Sequence, residues 1–232
     1  MAHLAQWADA YADLIRHALA DDAEPAPAPP VLPYVIRSAR YAEEAKAYRR
    51  ALGAGLLDAY RRSQQDLLDR FERVQPNEWD RPARHPSGVR SVRALLSLRV
   101  VELSIHGWEI VHRVGRPAML PDGRHAALVD TLPIRLRGSF ARRDPLPERL
   151  RYLFVLTPPL LRLVTLVIYG DRFEIDPNGD GSADAVLTLH PQTYILAFTG
   201  RITWREVLDA GAVGVTGRQD LAADLAGWFP PG

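Results

Sequence analysis

The sequence predicts an α-helical domain followed by an α+β domain. Three observations favour this order. Apolar residues recur at helical spacing through the first half of the chain, short apolar runs separated by turn residues follow Asp144, and these strands are succeeded by further helical segments, as in α+β domains. A chain of 232 residues is long enough for two small domains. We therefore expect a helical domain over residues 1–142 and an α+β domain over residues 143–232.

The first half of the chain indicates three helices. Residues 2–20 place apolar side chains at helical spacing. The Pro/Ala-rich stretch Glu24–Pro33 predicts an extended loop. The next helix is expected from Ser38 to Val74, with a bend at Gly53 and Gly55.

The third helix follows a connecting loop that is expected over residues 77–88. Ser91 is a suitable N-cap, and Gly115 with Pro117 should end the helix. This segment is apolar on nearly every side, which is typical of a helix buried among several neighbours.

The second half alternates short strands with turns before it becomes helical. Strands are expected at 151–157, 163–169, 172–176, 185–190 and 213–216, and helices at 191–199, 203–210 and 219–228. The segment Asp176–Asp184 resembles the front of a calcium-binding loop. Because its twelfth position is Leu187 and not Glu, we interpret it as a strand-connecting turn.

The composition excludes several classes of function. The formal net charge is +1, which gives no electrostatic case for binding nucleic acid or an anionic membrane. The absence of cysteine excludes disulfides, Cys-ligated zinc, iron–sulfur clusters and a cysteine nucleophile. No secretory signal is visible, and Pro158-Pro159 interrupts the most apolar stretch, so we expect a cytoplasmic protein without a membrane span.

Glu102 and His106 are the leading candidates for a functional site. Residues four apart lie on one face of a helix, where a carboxylate and an imidazole can share a divalent metal. A carboxylate in so apolar a helix is costly unless it is paired or metal-bound. Glu109 shares the face of His106, although a solvated charge near the helix end is an equal interpretation. Five other histidines are expected at surface or half-buried positions: His17, His85, His112, His125 and His190.

The segment Val101–Ile110 resembles the last bundle helix of the mycothiol-dependent maleylpyruvate isomerase family, a DinB-like group of four-helix bundles. That helix carries a Glu-x-x-x-His pair followed by an acidic residue. The segment Ala2–Ala5, which contains His3, is similar to the early helix that bears the family's other metal-binding histidine. The loop Glu78–Pro82 also resembles the family's connector before the last helix.

The second half of the chain is similar to the sterol-carrier-protein-2-like domain of the same family. The resemblance rests on residues 183–189, on Phe198–Gly200, on Gly214–Gly217 and on the helix 221–228. Because the chain begins at the helix that bears His3, the resemblance implies a bundle without its first helix. A partner subunit in a homo-oligomer would cover that gap.

The resemblance implies that His3, Glu102 and His106 bind a divalent metal, with Glu109 orienting the His3 ring or acting as an outer ligand. Zinc with such ligands keeps an open position, and non-haem iron uses a similar triad. Mycothiol or a related small thiol would bind there and be deprotonated. The thiolate would add to a conjugated cis double bond and leave after rotation, or stay attached to a small electrophile. The missing cysteine fits this scheme.

Two other functions remain open at this point. The protein could be a non-catalytic binding protein whose second domain encloses a small apolar ligand, in a cavity lined by Leu156, Leu166, Ile168, Tyr194 and Phe198. It could also be a remnant in which the metal site has decayed.

Overall fold

The computed structural model describes residues 1–20, 34–136, 140, 146–176 and 182–229. It divides into two compact units, Met1–Leu103 and Ser104–Gly232. The Pro/Ala-rich stretch 24–33, the centre of the calcium-like segment and the expected domain boundary after residue 142 lie outside the described residues. That boundary stays a prediction.

The first unit is mainly helical. Its helices are α1 (Ala2–Leu19), α2 (Tyr34–Leu52), α3 (Leu56–Arg73) and the first half of α4 (Val92–Arg113). The single helix expected over residues 38–74 is two helices, because a short 3₁₀ turn at Gly53–Gly55 separates α2 from α3. Gly53 has a φ of 50°, a left-handed conformation that glycine adopts without strain.

A β-hairpin replaces most of the loop that we expected before α4. Strands β1 (Pro82–His85) and β2 (Gly88–Ser91) pair in antiparallel fashion, with Pro82 opposite Ser91. The prolines were misleading because Pro82 begins its strand and Pro86 lies in the turn, two positions where the missing N–H is tolerated. The hairpin brings His85 to the interior of this unit.

The core of the first unit lies between α1, α3, the hairpin and the start of α4. Its buried side chains are Ala8, Tyr11, Ala12, Ile15, Leu67, Phe71, Val74, Ala83, Val92, Leu95 and Leu98. Ser91 accepts a hydrogen bond from the Ala94 N–H at 3.2 Å, which confirms it as the cap of α4.

The second unit contains the rest of α4, helix α5 (His125–Leu136) and an α+β arrangement. The remaining elements are β3 (Leu146–Leu156), β4 (Arg162–Gly170), β5 (Arg172–Asp176), β6 (Ala185–Leu189), α6 (Pro191–Phe198), α7 (Trp204–Asp209), β7 (Val213–Gly217) and α8 (Gln219–Trp228). The expected strands and helices of this half are confirmed, whereas α5 was not predicted.

The five strands form one mixed sheet in the order β5-β4-β3-β6-β7. Strands β3 and β6 are parallel, and the other neighbours are antiparallel. One face of the sheet packs into an aromatic core, in which the Phe154 ring lies 5.0 Å from Tyr194 and 5.4 Å from Phe198. None of the helices among the described residues is both long and apolar enough to cross a membrane.

Candidate metal site

Three potential metal ligands converge where the first turn of α1 meets α4. His3 Nε2 lies 3.5 Å from Glu102 Oε2, and His106 follows Glu102 one turn later on α4. One ligand atom from each of the three side chains lies within 4.8 Å of the other two. The side chains of His3, Glu102 and His106 are 31%, 19% and 25% exposed, so a small molecule from solvent can reach them.

Glu109 fixes the ring of His106. His106 Nδ1 lies 2.6 Å from Glu109 Oε2. The other carboxylate oxygen accepts a hydrogen bond from Arg201 Nε at 2.7 Å and forms an ion pair with Arg201 Nη2, also at 2.7 Å. Burial opposes ionisation of Glu109, but the hydrogen bond from His106 and the charge of Arg201 outweigh it and hold the pKa of Glu109 at about 2. With Nδ1 engaged, His106 presents Nε2 as its available ligand atom.

Glu109 contacts the His106 ring, whereas the resemblance implied that it orients the His3 ring or acts as an outer metal ligand. The interpretation of Glu109 as a solvated end-of-helix charge does not fit a carboxylate with two side-chain partners. Its role toward a metal stays a prediction.

Arg201 is a residue of this site that the sequence analysis missed. It follows α6 after Gly200, whose φ is 72°, and its Nη1 donates to the Thr199 carbonyl at 2.5 Å. The turn Phe198–Gly200 contributed to the family resemblance, but nothing in the sequence pairs Arg201 with Glu109, which is 92 residues away.

The first turn of α1 is tied to its neighbours through one carbonyl. The Leu4 carbonyl accepts from Arg99 Nη2 at 2.7 Å and from Gln64 Nε2 at 3.3 Å. Arg99 lies on α4 three residues before Glu102 and is 3% exposed. The two side chains therefore hold His3 near Glu102.

His85 lies beside this turn and is neutral near pH 7. Its Nδ1 accepts the Ser87 N–H at 3.1 Å, and its ring lies 5.7 Å from the rings of Trp7 and Tyr11. Burial, together with the charge of Arg90, lowers the pKa of His85 to about 4. Among the other histidines, His125 departs from the expected surface or half-buried position, because it is 0% exposed.

Comparison with known proteins identifies the first part of the chain. Residues 1–111 match the family model for the mycothiol maleylpyruvate isomerase N-terminal domain. The crystal structure of a point mutant of the mycothiol-dependent maleylpyruvate isomerase aligns with 93% of this chain and 75% of that chain, with a TM-score of 0.53 and 15% sequence identity. No curated protein matches the sequence.

Two further solved structures are similar at lower TM-scores. Sterol carrier protein 2 like 2 from Aedes aegypti aligns with 44% of this chain and 93% of its own, at 20% identity and a TM-score of 0.31. The sec-alkylsulfatase Pisa1 from Pseudomonas sp. aligns with 90% of this chain and 34% of its own, at 18% identity and a TM-score of 0.39. The family model thus covers residues 1–111, and the chain shares the fold of the mycothiol-dependent maleylpyruvate isomerase.

Proposed function

We propose that this protein is a metal-dependent enzyme that uses mycothiol or a related low-molecular-weight thiol. The enzyme either isomerises a small electrophile between its cis and trans forms or transfers the thiol sulfur to that electrophile. The observation that carries the proposal is the convergence of His3, Glu102 and His106 within 4.8 Å. The family match over residues 1–111 supports the same conclusion. The name of the matched structure points to an unsaturated acid related to maleylpyruvate as the electrophile.

The donor set fits a divalent metal, and we propose zinc. Two imidazoles and one carboxylate are a common protein ligand set for zinc that leaves a position open. When bound there, the metal would lower the pKa of a coordinated thiol.

Neighbouring side chains orient the proposed metal ligands. Glu109 accepts the hydrogen bond from His106 Nδ1, and Arg201 keeps Glu109 ionised, so the imidazole ring is held in one tautomer and one orientation. Arg99 and Gln64 hold the turn that carries His3. Because the chain contains no cysteine, the sulfur nucleophile must come from the small thiol.

The alternative of an apolar ligand-binding protein has less support. The five residues expected to line a cavity are buried, at 4% exposure or below. Phe198 and Tyr194 lie 4.8 Å apart, and Phe198 and Trp204 lie 5.0 Å apart, which is the packing of a filled core. A decayed metal site is also disfavoured by the convergence of the three ligands. A cytoplasmic location and a homo-oligomeric state stay predictions.

Metal content tests the proposed function. We would measure zinc by elemental mass spectrometry in the wild type, in His106→Ala and in Glu102→Ala. His112→Ala is the matched control, because His112 is on the same helix and stacks on Trp108 away from the ligand set. We expect about one zinc per chain in the wild type and the control, and little in the other two variants.

Thiol chemistry is then tested with mycothiol and maleylpyruvate, monitored by the loss of the cis isomer and by adduct formation. Zinc that survives both ligand substitutions would contradict the proposed site. A zinc-loaded protein that leaves maleylpyruvate and other conjugated electrophiles unchanged would contradict the proposed reaction.

A further inference from the structure

The sheet of the second unit has a second face, opposite the aromatic core. Successive side chains alternate between the two faces of a sheet, so Leu153 and Thr165, which are cross-strand partners, lie on the face opposite Phe154. A cleft of about 380 Å³ lies over strands β3, β4 and β5, and the residues that line it include Arg149, Arg151, Thr165, Val167, Glu174 and Asp176. These six residues therefore surround one shared space.

The strand register sorts the charges of this cleft by sign. Arg151 of β3 is opposite Val167 of β4, and Val167 is in turn opposite Glu174 of β5. In the next row of the sheet, Thr165 is opposite Asp176. The arginines thus line one side of the cleft and the carboxylates line the other, with uncharged side chains of β4 between them. Neighbouring strands are roughly 4.8 Å apart, so the two charged sides start from strands that are about 10 Å apart.

Thr165 is a buried polar residue on the middle strand of the cleft. It is 1% exposed, and its hydroxyl has no hydrogen-bond partner among the residues that the structure describes. A threonine hydroxyl can both donate and accept, and buried polar groups in folded proteins are nearly always hydrogen-bonded. Because Thr165 lines the cleft, a polar ligand bound there can supply the missing partner.

Arg149 and Glu174 are the charged groups best placed to bind a ligand in this cleft. The Arg149 guanidinium lies 5.0 Å from the centroid of the Tyr169 ring, and within the described part of the chain it forms no ion pair. Glu174 Oε1 accepts a hydrogen bond from the Tyr169 hydroxyl at 2.5 Å, which leaves Oε2 for a second donor. Arg151 Nε donates to the Ser182 carbonyl at 3.1 Å, so Arg151 mainly adds positive charge to its side of the cleft.

We propose that this cleft binds a zwitterion of dipeptide size, with its carboxylate at Arg149, its ammonium group at Glu174 and its peptide group at the Thr165 hydroxyl. Guanidinium and carboxylate side chains bind groups of opposite charge through charge-assisted hydrogen bonds. An extended dipeptide is about 7 Å long, which matches two side chains that reach inward from strands about 10 Å apart. This second site does not rest on the proposed function, since none of these residues is a proposed metal ligand.

Calorimetric titration of the full-length protein with glycylglycine tests this site. The protein is metal-free, because amines and carboxylates of the peptide would themselves bind zinc. N-acetylglycylglycine lacks the ammonium group and glycylglycinamide lacks the carboxylate, so each is a matched ligand with one charge fewer. We expect glycylglycine to bind about fivefold more tightly than either. Equal binding of the three ligands, or binding of none of them, would overturn the proposal.

Substitutions at the two ends of the cleft should act on different ligands. Arg149→Gln should weaken glycylglycine binding about fivefold and leave glycylglycinamide binding unchanged, because that ligand has no carboxylate. Glu174→Gln should weaken glycylglycine binding to the same extent and leave N-acetylglycylglycine binding unchanged. Arg205→Gln, at an arginine of α7 whose side chain is 86% exposed, is the matched control and should bind as the wild type does. Unchanged glycylglycine binding in both Arg149→Gln and Glu174→Gln would overturn the proposal.

Two further measurements separate direct binding from effects on local structure and ligand length. Tyr169→Phe removes the hydrogen bond to Glu174 but keeps its charge, so glycylglycine should still bind. A loss as large as that in Glu174→Gln would mean that Glu174 acts through the local structure, and would overturn its role at the ammonium group. Glycine should bind more weakly than glycylglycine, because its two charges are adjacent. Glycine that binds as tightly as glycylglycine would overturn the assignment to a dipeptide.

Discussion

The interiors of the two compact units contain different kinds of side chain. The first unit buries Arg99 and half-buries His85 and the indole of Trp7, and Trp7 Nε1 and two of the Arg99 nitrogens have no hydrogen-bond partner among the described residues. The second unit fills the space beside its sheet with aromatic rings 4.8–5.9 Å apart, from Phe154, Tyr194, Phe198 and Trp204. Polar interiors cost stability, and proteins retain them where they bind or react.

The difference predicts that substitutions in the two units have separable effects. A change in the aromatic core should affect unfolding and leave metal affinity intact in the folded protein. A change near His3 or His106 should affect ligand binding with smaller effects on unfolding. His125 is an exception in the second unit, because it is fully buried and neither ring nitrogen has a hydrogen-bond partner among the described residues.

The largest expected effect on stability is that of Phe198→Ala. The Phe198 ring contacts those of Tyr194, Trp204 and Phe229 at 4.8, 5.0 and 5.2 Å, so its removal leaves a cavity. We expect a loss of about 3–5 kcal/mol in the free energy of unfolding, measured by urea titration with circular dichroism. Leu161→Ala, at a side chain that is 79% exposed, should change it by less than about 0.5 kcal/mol. Equal effects of the two substitutions would contradict the packed core.

Lowering the pH should destabilise the first unit, because His85 becomes protonated more readily in the unfolded chain than in the folded protein. The unfolded chain binds a proton at this residue below about pH 6.5, whereas burial delays protonation in the folded protein until about pH 4. The stabilisation by neutral His85 is therefore complete above pH 6.5 and is lost as the pH falls toward 4. The full difference is about 3 kcal/mol.

His85→Gln removes this titration, so its metal-free unfolding free energy should depend less on pH between 6.5 and 4 than that of the wild type. His17→Gln, at an exposed position on α1, should keep the wild-type slope. If the unfolding free energies of wild type and His85→Gln depended equally on pH, the pKa of His85 would not be lowered in the folded protein.

Much of the fold followed from local sequence patterns. The strands of the second half were visible because each is a short apolar run bounded by turn residues. The hairpin of His85 was hidden by Pro82 and Pro86, and α5 by Pro133, which lies inside that helix. Proline marks a probable break, but its tolerated positions depend on contacts that the sequence does not display.

The candidate site was only partly visible for the same reason. Glu102 and His106 are fixed relative to each other by helix periodicity, so sequence spacing was sufficient. His3 was suggested by a resemblance, since nothing local joins it to α4. Arg201 was missed because its pairing with Glu109 depends on tertiary structure alone.

Glu109→Gln should weaken zinc binding without removing a ligand. The amide can still accept from His106 Nδ1, but it loses the negative charge that favours the hydrogen bond and attracts Arg201. Changes in residues that orient metal ligands typically cost 10–100-fold in metal affinity. We expect that range in competition with a chromophoric chelator. Glu43→Gln, on the exposed side of α2, is the control, and equal affinities for the two variants would rule out an orienting role.

The smallest expected effect is that of Ser91→Ala, which should lower the stability of α4 without moving the metal ligands Glu102 and His106. Ser91→Ala removes the cap that accepts from the Ala94 N–H, and it should cost about 1 kcal/mol in the free energy of unfolding. Glu102 lies eleven residues later, about 16 Å along the helix, so fraying of the first turn should not reach it. Zinc affinity should therefore stay within twofold of the wild type. A loss of zinc affinity in Ser91→Ala that is as large as in Glu109→Gln would mean that the ligands depend on the whole helix and not on their immediate partners.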